Sequence, residues 1–137
     1  MGSDQSRRLT PKTLGTGVLD PRAFQSFSPE GAMVVGMYAE DPDVSLVVWN
    51  LEPGQENSTH THPDSAHVQV VLEGTGEYLR DGTDPVPISV GQCIVVPRGA
   101  VHGIRNTGRG NLSYLAVTTL REGGYVRQTV DEQHKER

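Results

Sequence analysis

The chain has 137 residues and carries 12 Lys and Arg against 17 Asp and Glu, a formal net charge of -5. That length suits one domain, and cations this sparse and scattered would release few counterions from a phosphate backbone, which excludes nucleic acid as a partner. The single cysteine, Cys93, excludes an intrachain disulfide or a thiolate zinc cluster, and without a secretory leader pattern or a long apolar run the expectation is a cytoplasmic protein with no membrane contact.

Sixteen glycines, nine prolines and short Val-rich runs favour an all-β chain. Residues 1–30 are polar, with Pro11, Pro21 and Pro29, and read as an N-terminal arm. Strands are expected over 31–38 and 45–51, joined by a turn-rich segment, and over 67–73 and 76–80. Asp81-Gly82 is a hairpin signal, and 85–89, with two prolines, belongs at a sheet edge. Segments 93–96, 102–105 and 111–120 complete a barrel or sandwich spanning 31–120. The charged tail 121–137 ends in a short helix predicted from Thr129, with Glu132 three residues on in capping-box spacing. His134 lies in that tail and reads as a surface residue.

Chemistry concentrates in two stretches. In GQENSTHTHPDSAHVQVVLEG, residues 54–74, His60 and His62 are two apart and leave the same face of an extended strand. His67 follows a Pro-containing segment that can turn the chain and return the next side chain to the same cavity. In GQCIVVPRGAVHGIRN, residues 91–106, His102 follows a Pro-x-Gly turn. Without a cysteine pair, these imidazoles are the donors open to a borderline metal. Gln69, two residues beyond His67, should also face the lumen, as an orienting group or substitute ligand. Cys93 reads as a small buried hydrophobe, and Trp49, Tyr38 and Tyr114 as packing residues.

These stretches resemble the two cupin motifs. The first matches G-x5-H-x-H-x4-E-x6-G at Gly54, His60, His62 and Gly74, with His67 in place of the glutamate. The second matches G-x5-P-x-G-x2-H-x3-N at Gly91, Pro97, Gly99, His102 and Asn106. The resemblance implies a small cupin jelly-roll β-barrel with one divalent transition metal in its lumen (Fe, Ni, Cu, Zn or Mn), and a homodimer paired through N-terminal strands. Histidine at position 67 makes every protein ligand neutral, so the ion keeps its full charge and acts as a stronger Lewis acid. The leading expectation is an enzyme with non-haem dioxygenase-like activity on a small oxygen-bearing molecule, the ion held by His60, His62, His67 and His102. The alternatives are a metal-dependent lyase, isomerase or decarboxylase, and a non-catalytic module that binds or senses a small ligand.

Overall fold

A computed structural model of the chain describes residues 7–9, 17–38 and 43–119. Among them are β1 (Arg7–Leu9), a one-turn 3-10 helix (Pro21–Phe24), β2 (Met33–Tyr38), β3 (Val44–Leu51), β4 (Glu56–His60) and β5 (His67–Glu73). β6 (Thr75–Arg80), β7 (Val86–Ser89), β8 (Cys93–Val96), β9 (His102–Arg105) and β10 (Leu112–Thr119) follow. They form a six-stranded sheet ordered β1-β2-β3-β10-β5-β8 and a four-stranded sheet ordered β4-β9-β6-β7. Only β1 with β2 runs parallel; the remaining pairs are antiparallel.

The two sheets face each other across a core of alternating residues. Val34, Val47, Val71, Ile94 and Ala116 from the six-stranded sheet meet Ile88 and Ile104 from the other. Intervening residues on the same strands point outward, because successive side chains of a strand alternate faces. On this outer side Phe24, carried by the 3-10 helix, packs with Val35, Met37 and Val48 in a second apolar cluster. Asn50 is buried there. Its amide donates towards the Phe24, Met33 and Val48 carbonyls, while its Oδ1 accepts from the Ser113 hydroxyl at 2.7 Å. A polar side chain buried this deeply is tolerated because its donors and acceptor are matched.

The all-β jelly roll is as the motifs implied, and the Pro-containing strand β7 lies at a sheet edge. Asn106 plays a structural part: its amide donates to the Leu51 and Gly110 carbonyls, each at 2.9 Å, and its Oδ1 accepts from the Gly108 amide. It therefore ties the β9–β10 loop to the end of β3. The arm contains two elements that composition did not announce, β1 and the 3-10 helix. Cys93 corrects the expectation of burial. It is exposed, since β8 alternates with Ile94 and Val96 inward and Cys93 and Val95 outward. The expected helix at the C-terminus and His134 lie outside the described residues.

Candidate metal centre

Four imidazoles meet at one mouth of the lumen. His60 ends β4 and is paired opposite His102, the first residue of β9. Between Asn57 and His60 the β4–β9 register slips, three steps on β4 facing two on β9, so β4 carries one extra residue, a β-bulge. Gly103 makes the close approach possible: a Cβ at this position would sit 2.7 Å from the Asn57 carbonyl oxygen and 3.0 Å from the Thr59 nitrogen. His62 lies just beyond the end of β4, and its carbonyl accepts from the amides of Ser65 and Gly99 at 3.3 and 3.0 Å. The Pro97-x-Gly99 turn of the second motif thus holds the backbone of the first. His67 opens β5 on the facing sheet.

The ligand-capable atoms of His60, His62 and His102 all lie within 4.8 Å of one another. Bonds of about 2.1 Å to one ion require donor nitrogens within ~4.2 Å of each other, a small side-chain adjustment from that spacing. The His67 ring centroid is 4.2 Å from that of His62 and 4.9 Å from that of His102, so the fourth imidazole borders two of the three. Ring centroids of His60 lie 4.8 Å from His62 and 4.3 Å from His102.

The hydrogen bonds select the tautomer. His60 Nδ1 lies 2.6 Å from the Ser58 carbonyl and His102 Nδ1 lies 2.9 Å from the Ala100 carbonyl. A carbonyl only accepts, so Nδ1 carries the proton in both rings and the lone pair of the neutral ring is on Nε2. His67 Nδ1 pairs with the Thr118 hydroxyl at 2.8 Å, and its Nε2 is buried with no hydrogen-bond partner among the described residues. Burial pushes the His67 ring down to about 4, aided by the neighbouring His62, His102 and His60. It also lowers His62, with contributions from His60 and His102. For His102 burial lowers the ring most, the bond to Ala100 opposes it, and His60 adds to the lowering. Neutral imidazoles are the form that binds a metal.

The cavity behind these rings has a volume of about 440 Å³. Trp49, Val34, Val47 and Ala116 give it apolar walls; Asn57 and Gln69 are among its polar groups, and among the described residues none that lines it is Asp, Glu, Lys or Arg. Trp49 stacks on the buried Tyr114 at 6.2 Å, and the Tyr114 hydroxyl accepts from the Asn57 amide at 3.1 Å. Gln69 is buried and, as its spacing from His67 suggested, lines the cavity, where its Oε1 has no partner among the described residues. Sequence reasoning missed Gly103 and Thr118. For Thr118 a signal existed: it continues the inward alternation Tyr114, Ala116, Thr118 and pairs with His67 across β10 and β5.

Residues 47–118 match the cupin domain family, and the chain belongs to it. An oxalate-binding protein of Thermotoga maritima is 36% identical over 70 residues, covering 51% of this chain and 57% of that protein, so the chain spans little more than half the length of this relative. Among solved structures, an uncharacterized conserved protein with a double-stranded β-helix domain from Klebsiella pneumoniae superposes with a TM-score of 0.71 at 24% identity, covering 77% of this chain and 90% of that one. A predicted oxalate decarboxylase of Thermotoga maritima gives a TM-score of 0.61 at 26% identity, covering 66% of this chain and 81% of that one.

Proposed function

We propose that this chain is a metal-dependent enzyme, cytoplasmic and homodimeric, which holds one divalent transition metal (Fe, Ni, Cu, Zn or Mn) on His60, His62, His67 and His102 and acts on a small oxygen-bearing molecule. The carrying observation is the buried Nε2 of His67, without a hydrogen-bond partner among the described residues, beside three imidazoles, two of which have their Nδ1 protons engaged by backbone carbonyls. An orphaned buried nitrogen normally costs about 1–3 kcal/mol, a cost that ligation would remove. When bound, the ion supplies Lewis acidity and, if redox-active, electrons for dioxygen chemistry.

The leading activity is non-haem dioxygenase-like. Among the described residues no carboxylate or lysine lines the cavity to carry a proton, so the side chains chiefly bind, orient and exclude water. Val34, Val47, Trp49 and Ala116 shield the cavity, and Gln69 orients a water or the substrate through its amide oxygen, which accepts no hydrogen bond from the described residues. A second reading, decarboxylation or simple binding of a small dicarboxylate such as oxalate, is favoured by the names of the Thermotoga matches. In that reading a displaced His67 is the available proton carrier.

Elemental analysis should find about one ion per chain after reconstitution. His60→Ala and His102→Ala should lose it, with affinity down by more than about 100-fold and the β-sheet circular dichroism retained. Full occupancy in either variant refutes the ligand assignment. With the Fe(II)-loaded protein, oxygen uptake on a panel of diketones and catechols supports the oxygenase. Carbon dioxide release from oxalate without oxygen uptake supports the second reading.

A further inference from the structure

Behind the imidazoles, the cavity holds a polar atom that its own neighbours do not satisfy. Gln69 faces inward from β5 and is 3% exposed, and its Oε1 accepts no hydrogen bond from the described residues. The pairing of the strands explains why. Across the six-stranded sheet its partners are Ala116 on β10 and Ile94 on β8, and Val47 follows on β3, so the row that holds Gln69 contains no other polar side chain. Along β5 its inward neighbours are Val71 and His67, and the His67 Nδ1 is engaged with the Thr118 hydroxyl. Gln69 stands two residues from His67, about 6.6 Å along the strand. A molecule held by one group at the imidazoles therefore meets this amide with the next.

We propose that the cavity selects a small molecule that carries an O–H or N–H donor beside its metal-binding oxygens and no ionised group away from them, the donor going to Gln69 Oε1. The inference rests on the metal reading above and names its substrate class. A site built around a buried acceptor rejects an analogue that lacks the donor, because the acceptor then stays unpaired. Charge narrows the class further. Among the described residues no Arg or Lys lines the cavity, so an anionic group away from the ion would be buried without a partner.

The other polar groups do not reverse this preference. Asn57 already gives an amide N–H to the Tyr114 hydroxyl, and the Ser45 and Ser65 hydroxyls donate or accept equally well. Hydroxyl-bearing ketones and amides of small acids meet both conditions. Fully ionised oxalate, with acceptors only, lacks the donor.

The test compares two chelators that differ at one N–H. Acetohydroxamate and its N-methyl derivative offer a metal the same pair of oxygens, and only the first has a donor beside them. Both are titrated into the full chain loaded with Zn(II), which prevents turnover on dioxygen, and metal content is measured on the same samples. Calorimetry gives each dissociation constant. The fluorescence of Trp49, the one tryptophan in the chain and a wall of this cavity, reports where the probe sits. The wild type should bind acetohydroxamate at least about 10-fold more tightly than the N-methyl probe. Gln69→Leu should bind the two alike, whereas a steric bias against the extra methyl group would persist in it. Oxalate should bind Gln69→Leu no more weakly than the wild type. Equal affinities or no binding in the loaded wild type, a preference that persists in Gln69→Leu, a weaker hold on oxalate in that variant, or binding that leaves Trp49 unchanged overturns the donor class and leaves the metal reading standing. A chain that takes up no Zn(II) overturns both.

Discussion

Among the described residues, two buried side-chain atoms without partners, His67 Nε2 and Gln69 Oε1, belong to neighbouring inward positions of β5. A core built only for stability would have apolar side chains there, because an unmatched buried group costs more than a hydrogen bond returns. Gln69→Leu should therefore stabilise the metal-free protein by about 1 kcal/mol, read as a higher urea midpoint, while weakening ligand binding. The His67 ring makes a pH prediction. It is held near 4 in the fold against 6.5 for a free imidazole. Above pH 6.5 its contribution is complete. As pH falls towards about 4 the unfolded chain takes up a proton that the fold resists, so the metal-free protein loses stability across that window and the loss levels off below it. His62 and His102 act in the same direction. Urea melts of apoprotein through this window check it; a flat profile would show that the rings titrate alike in both states.

At the scale of elements, the β4–β9 bulge and Gly103 decide whether His60 and His102 face each other. Gly103→Ala forces a methyl group against the Asn57 carbonyl at 2.7 Å. The expected outcome is a loss of about 1–3 kcal/mol in stability and weaker metal binding, measured by thermal melts and competition with a chelator. The motifs and most strands were legible in the sequence, since alternation in HVQVVLE and the two histidine stretches survive without tertiary information. The bulge was not. The segment Asn57–His60 has no glycine or proline to mark the extra residue, which exists only as a mismatch with β9. Cys93 shows another limit. Each residue of CIVV suits a core, and only the pairing with β5 reveals which two face out. Tyr38, by contrast, belongs to the second apolar cluster, and Tyr114 packs as expected.

For the whole molecule, the donors divide between the layers: His60 and His102 belong to the four-stranded sheet, His67 to the six-stranded one. Anything that binds the folded chain and not the unfolded one stabilises by mass action, by about 4 kcal/mol at a thousandfold excess over its dissociation constant. Metal at that excess should raise the melting temperature by roughly 8–20 °C for a chain of this size, and calorimetry with and without EDTA checks it. An unchanged melting temperature would mean that the folded chain holds no such ion. The hydrophobic core already unites the layers at depth, so at the mouth an ion would serve as a rivet. With it drawn, the lips around His62 and His67 should breathe first, and amide hydrogens there should trade with deuterium while those of β3 and β10 stay locked.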